Sequence, residues 1–220
     1  MSRRLHIADL KALHHVLSPL SLSLEEDKFW PRYNISPHTA LWAIYSEFGK
    51  AQLAPVEWAM VPPWAKPGQF HGPLTIARSE TVWERASFKN LIRRYRAVIP
   101  VNGFYVWSGS EGTGQPWHVQ AIDAPAMALA AIYQFSVDGV MQICLLTTEE
   151  SGAIGECCER LPVVIDNDRL EQWLNGEKRP DIDRFLQAPG TGQLKAEKVS
   201  TRVNDRDYDS ADCIAIATDR

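Results

Sequence analysis

The chain has 220 residues, 45% of them hydrophobic and 23% charged, the proportions of an ordinary globular protein that can bury a core without disulfides. No apolar run approaches the roughly 18 residues of a membrane span, and no long apolar stretch follows the basic start Met1-Ser2-Arg3-Arg4-Leu5, so no signal peptide is read and the cytoplasm is the expected compartment. A net charge of -4 excludes a globally basic nucleic-acid binder, and any such contact has to come from a local patch.

Asp9 is placed to cap a helix over Leu10 to Leu17, with Leu10, Leu13 and Leu17 on one face. Residues 21–40 read as loop. Leu41 to Tyr45 and Leu53 to Met60 read as strands, and Pro62-Pro63-Trp64 then breaks the chain. Phe88, Leu91, Ile92 and Tyr95 fall at i, i+3, i+4 and i+7, which predicts a helix over 86–95. Ala97 to Val101 and Phe104 to Trp107 are β-type runs separated by the turn pair Asn102-Gly103. Ser108 to Gly114 reads as a hairpin loop, and Trp117 to Ala121, Met127 to Tyr133 and Met141 to Leu146 continue the strand pattern. Asn167 is placed to cap a helix holding Leu170, Trp173 and Leu174, stopped by Gly176 and Pro180, before a last strand from Leu194 to Val199. Many short strands with few helices predict a β-rich α+β fold, read as one domain over residues 1–220. No Gly-rich phosphate loop is present, so neither a nucleotide cofactor nor any other cofactor is expected.

Cys144, Cys157, Cys158 and Cys213 make no CxxC spacing and read as reduced, buried apolar side chains. His14-His15 has no third ligand at a supporting spacing, so no metal is expected. Residues 85–96 carry Arg85, Lys89, Arg93, Arg94 and Arg96 with no acid among them. They read either as a solvated helix face or as a contact patch.

Six segments in order carry a family resemblance. They are Arg32-Tyr33-Asn34-Ile35-Ser36-Pro37, Trp58 to Trp64, Ala77-Arg78-Ser79-Glu80-Thr81 with Phe88-Lys89 after it, Pro100 to Trp107, Cys158-Glu159-Arg160-Leu161-Pro162, and Val199-Ser200 with Val203-Asn204. Together they resemble the SOS-response-associated peptidase (SRAP) family of abasic-DNA-crosslinking proteins. The resemblance implies a curved, barrel-like antiparallel sheet core with a few short helices. It also implies a partner, single-stranded or abasic DNA, and a chemistry. In the family, an N-terminal cysteine attacks the abasic aldehyde through its α-amine and closes a thiazolidine with its thiol, assisted by an asparagine, a glutamate and a histidine.

At the matching positions this chain has Ser2, Ile76, Val106 and Cys158. Isoleucine and valine side chains neither transfer protons nor hydrogen-bond, and a serine hydroxyl is a far weaker nucleophile than a thiol. No catalytic residue is therefore expected intact. Arg4, Asn34, Pro37, Trp64, Arg78, Thr147 and Arg160 resemble the family's strand-contacting or pocket-shaping residues. Arg3 stands where a glycine is usual, as a further phosphate contact or a filler of the sugar space, and Ala65 where a second tryptophan is usual. Glu80 is expected to orient Arg78 or cap a turn. Three readings follow: a DNA-binding pseudoenzyme, a residual enzyme using the Ser2 α-amine or Cys158, and a protein-interaction module.

Overall fold

The computed structural model describes residues 3–65, 72–150, 152, 154, 157–188 and 193–217. In chain order, β1 (Arg4–Ile7) leads to α1 (Leu10–Leu17), β2 (Arg32–Ile35), the hairpin β3 (Ala40–Glu47) and β4 (Lys50–Glu57), and the short β5 (Ile76–Arg78). After α2 (Leu91–Arg94) come β6 (Arg96–Val101), β7 (Gly103–Ser108), β8 (Gln115–Ala121), β9 (Met127–Phe135) and β10 (Met141–Glu149). The chain ends with β11 (Arg160–Pro162), β12 (Val164–Ile165), α3 (Leu170–Asn175), α4 (Arg179–Asp183) and β13 (Leu194–Lys198).

One sheet runs β13-β8-β7-β1-β2, and the other runs β11-β10-β4-β3-β6-β9-β12. A further pairing of β9 with β10 closes β10, β4, β3, β6 and β9 into a ring. The closure between β4 and β10 is a single pair, Glu57 opposite Gln142, and the result is the β-rich, barrel-like architecture that the family resemblance implies. The ring is not wholly antiparallel, because β10 runs parallel to both β4 and β5. Within it β6 and β9 are covered on both faces, since every residue of β6 is buried, as is all of β9 up to Phe135, whereas β3 and β4 are partly open. Helix α1 turns Leu13, Val16 and Leu17 inward, and the Asp9 carboxylate accepts from the Ala12 N–H at 3.0 Å, the predicted cap.

Asn102-Gly103 does not make a hairpin. β6 lies in the ring and β7 in the other sheet, so the chain changes sheet here. The Asn102 side-chain oxygen accepts from the Ala8 and Asp9 N–H groups at 2.8 and 2.9 Å. Gly103 is needed for close approach, since a Cβ there would lie 2.3 Å from the His118 ring. The loop predicted over 21–40 contains β2, and the β3–β4 hairpin turns at Phe48-Gly49. Met60 lies beyond β4 and only bridges to Leu74. Asn167 does not cap α3; its side chain donates to the His15 carbonyl at 2.9 Å. Pro180 lies in the first turn of α4 rather than merely ending α3, because the first turn of a helix tolerates a missing N–H.

The helix predicted over 86–95 is cut to Leu91–Arg94; residues 86–90 stay in turns, with the Phe88 and Lys89 N–H groups donating to the Arg85 carbonyl, and the C-terminal end is met by Arg96. Its guanidinium is 2% exposed and donates to the carbonyls of Trp173 (2.6 Å), Ile92 (2.8 Å), Arg93 (2.6 Å), Leu174 (3.3 Å) and Gly176. It thus caps the C-terminal carbonyls of α2 and α3 together. Burial pulls its pKa down to about 10, which still leaves it charged at neutral pH. Arg96→Met should remove all five bonds and lower unfolding free energy by about 3–5 kcal/mol. Arg96→Lys should recover only part of the loss, because an ammonium cannot match the planar fork. Urea denaturation of the three proteins measures both.

His6 and His118 meet in the five-stranded sheet, Nδ1 to Nε2 at 3.1 Å, with both rings buried. Tyr33 stacks on His6, and Tyr105 lies against His118. Burial pushes both imidazoles well below their ordinary pKa of 6.5, so both rings are neutral at pH 7, one donating and the other accepting. The unfolded chain takes up these protons first, so the stability they contribute is complete above pH 6.5 and is lost as pH falls below it. Unfolding free energy should drop by about 1.5 kcal/mol per ring between pH 6.5 and 5. Denaturant titrations at both pH values check this, with a His6→Phe variant showing a shallower fall.

Candidate functional site

Two groups of the sequence-predicted residues assemble, one on each sheet. On the ring, β5 and β11 both pair with the end of β10, so that Thr147 lies opposite Arg78 on one side and Pro162 on the other. Arg160 on β11 is 8% exposed, and its Nη2 donates to the Glu80 carboxylate at 2.7 Å and to the Thr147 carbonyl at 2.9 Å. Its Nε reaches the Thr147 hydroxyl at 3.4 Å, and that hydroxyl donates to the Ala77 carbonyl at 3.4 Å. Glu80 also accepts from the Glu149 N–H at 3.0 Å. Burial alone would raise the Glu80 pKa, but the hydrogen bonds from Arg160 and the backbone outweigh it and hold the carboxyl below the usual range. Glu80 therefore fixes Arg160, where the sequence pointed to Arg78 or a turn.

Arg78 faces outward. It is exposed, and its guanidinium has no hydrogen-bond or ion-pair partner among the described residues. Trp64 is 57% exposed in the turn after Pro62-Pro63. Pro37 is half-buried just after β2.

On the five-stranded sheet Arg4 is 1% exposed. Its Nη1 donates to the Asn34 side-chain oxygen at 3.0 Å and to the Val203 carbonyl at 2.9 Å. Asn34 Nδ2 donates in turn to the carbonyls of Val203, Asp205 and Tyr208. Both side chains are buried and turned inward, and the Arg4 Nε makes no hydrogen bond among the described residues, with the Glu111 carboxylate 3.8 Å away. Nothing local to Arg4 marks it as internal, because its partners are the Asn34 side chain and the Val203 carbonyl, 30 and 199 positions away. Arg3 pairs with Glu111 at 3.1 Å, so its charge is directed at the β7–β8 loop.

The positions that differ from the family are placed as follows. Val106 is fully buried in β7, opposite Trp117. Ile76 is half-buried in β5 opposite Leu145. Cys158 is half-buried; its thiol donates to the Arg160 carbonyl at 3.3 Å, and burial pushes its pKa up to about 11. A thiol so held is a poor nucleophile. Ser2 lies outside the described residues.

Residues 3–206 match the family described as SOS response associated peptidase (SRAP). The chain belongs to the SRAP family. Among SRAP relatives it is 27% identical to abasic site processing protein YoaM of Bacillus subtilis, over 85% of this chain and 86% of that protein. It is 23% identical to abasic site processing protein HMCES of Pongo abelii, over 87% of this chain and 66% of that protein. The fold is shared with a crystal structure of a protein from Bacteroides thetaiotaomicron, with a TM-score of 0.72 at 17% identity over 99% of both chains. A phage-related protein from Bordetella bronchiseptica gives a TM-score of 0.71 at 20% identity, over 90% of this chain and 94% of that one. Among the described residues, no helix is long and apolar enough to cross a membrane.

The raised pKa of the half-buried Cys158 thiol has a measurable consequence. At pH 7.5, iodoacetamide should alkylate Cys158 in the folded protein at least about 100-fold more slowly than a free cysteine. Peptide mapping after timed alkylation measures it, and the difference should vanish in urea.

Proposed function

We propose that this chain is a DNA-binding member of the SRAP family acting in the response to DNA damage, in which the crosslinking and peptidase chemistry has lapsed. The observation that carries the binding half is Arg78. It stands exposed and unpartnered among the described residues, beside a strand end rigidly set by Arg160, Thr147 and Glu80. A guanidinium in that position is suited to a phosphodiester oxygen. The exposed face of Trp64 offers a surface for a base next to it. The relatives' names, which refer to abasic sites, supply the substrate class.

The lapsed half rests on residue chemistry. Ile76 and Val106 hold no proton to transfer, and Cys158 is held as a thiol. Losing one proton-transfer group typically costs about 10²–10⁴ in rate, and this chain lacks two. Cys158 is therefore a poor candidate for a relocated nucleophile.

Fluorescence anisotropy of labelled single-stranded DNA, intact and abasic, tests the binding at two salt concentrations. Wild type should bind with a clear salt dependence. Arg78→Glu should weaken binding about tenfold or more and flatten the log–log salt slope by about 1. Unchanged affinity would remove the reading. Borohydride added to the abasic complex should trap no covalent product under conditions that trap a simple amine, and a trapped band would overturn the lapsed chemistry.

A further inference from the structure

A second basic feature lies apart from these residues. A cavity of about 770 Å³ opens where β6 begins, lined by Phe48, Trp83, Arg93, Arg94, Arg96 and Arg179 among others. It shares no residue with the Arg160–Glu80–Thr147 network. Its cations are not equivalent. Arg96 spends its donors on the carbonyls described above. Arg179 lies over the Trp83 ring at 4.9 Å and pairs with Asp183 at 3.3 Å. Arg93 and Arg94 are exposed, and their guanidinium groups have no hydrogen-bond or ion-pair partner among the described residues. The C-terminal carbonyls of α2 and α3 would make this a negative spot, but Arg96 neutralises them. Among the lining residues Glu177 is the one acid.

At the rim stands Phe48, 99% exposed and in the left-handed region at φ 50, with Gly49 after it at φ 77. A phenylalanine there pays both exposure and a backbone cost of about 1–2 kcal/mol. A turn of this type is satisfied far more easily by asparagine or glycine. The tip thus carries an aromatic ring, fully presented, beside two uncommitted guanidinium groups. That is the pairing of features by which single strands are held without base sequence being read, phosphates by arginine and bases by stacking.

We propose that this cavity is a second nucleic-acid contact, in which Arg93 and Arg94 take the phosphodiester backbone of a single strand and Phe48 stacks on one of its bases. The assignment rests on the chain binding nucleic acid at all, but not on Arg78 being the residue that does so. Arg85 and Lys89, exposed and without ion-pair partners among the described residues, lie in the chain segment that leads to α2 and this cavity.

The test is anisotropy with a labelled single strand of about 20 nucleotides, long enough to span more than one contact, using four proteins: wild type, Arg78→Glu, Phe48→Ala, and the double variant Arg93→Glu/Arg94→Glu. The double variant should weaken binding about tenfold or more and reduce the salt slope by about 2. Phe48→Ala should weaken binding about five-fold or more with an unchanged slope, the mark of stacking rather than charge. The Phe48 change sits at an exposed tip, and thermal melting confirms that each variant is folded. If Arg78→Glu alone weakens binding, this assignment is wrong and the Arg78 contact stands. If the cavity variants weaken it and Arg78→Glu does not, this assignment stands and the Arg78 contact falls. If inorganic phosphate competes equally well in wild type and Phe48→Ala, and Phe48→Ala binds the strand like wild type, the cavity is a simple anion site and the assignment fails. If no protein of the set binds the strand, both contacts are overturned.

Discussion

Burying the Arg4 guanidinium is the constraint on which the arrangement of both chain ends depends. A charged group 1% exposed has to find hydrogen-bond acceptors inside the protein or it costs several kcal/mol. Arg4 finds one acceptor in Asn34 and another in the Val203 carbonyl, with Glu111 at 3.8 Å and the Trp107 ring at 5.8 Å. Asn34 can hold its oxygen toward Arg4 only because its amide nitrogen is satisfied by the carbonyls of Val203, Asp205 and Tyr208. Asp209 then accepts from the backbone of Tyr33 and Asn34. The first strand, β2 and residues 203–209 therefore hold one another in place. The position of β1 is thus set by residues 203–209.

The same device recurs at Arg96 and Arg160. In each case a planar fork with five N–H groups reaches several acceptors at fixed angles, which an ammonium could not do. Arg96 uses carbonyls, and Arg160 divides its bonds between Thr147 and a carboxylate. The functional consequence is a sorting of cations that look alike in the sequence. Arg4, Arg96 and Arg160 work inward as fasteners. Arg78, Arg93 and Arg94 have guanidinium groups that meet no partner among the described residues, and their charge reaches outward, as does that of the exposed Arg85 and Lys89.

Much of the fold was legible because its signals are local. Asp9 before the α1 periodicity, the alternation in β8, and the Gly- and Ser-rich turn before Gln115 each need only neighbouring residues to be understood. What escaped depends on distant partners. β2 contains Asn34 and a tyrosine whose carbonyl accepts from Tyr105 at 2.6 Å, and nothing in Arg-Tyr-Asn-Ile announces that. The β3–β4 turn was hidden because its left-handed pair begins with phenylalanine. The apparent helix over 86–95 has the right spacing of apolar residues, yet residues 86–90 stay in turns, and Arg96 caps the carbonyls of Ile92 and Arg93 at the far end. Four of the six ordered motifs run through β2, β5, β7 and β11. They could not reveal that Glu80 belongs to Arg160, since the two are 80 positions apart and are joined only through β10.

The glycines divide into two kinds, with a consequence for how the molecule can be altered. At Gly103 the His118 ring and the Val119 carbonyl occupy the space a side chain would need. The crossing between the sheets is sealed from both sides. At Gly49 and Gly139 there is nothing within 4 Å, and the neighbouring Val137 stands fully in solvent. Extra chain entering at the Ser136–Gly139 turn would displace no packed atom, and loop closure penalises added length only weakly. That turn is therefore a natural place to graft a reporter or open the chain for circular permutation, whereas a single inserted residue at Asn102-Gly103 would pull the two sheets out of register with each other.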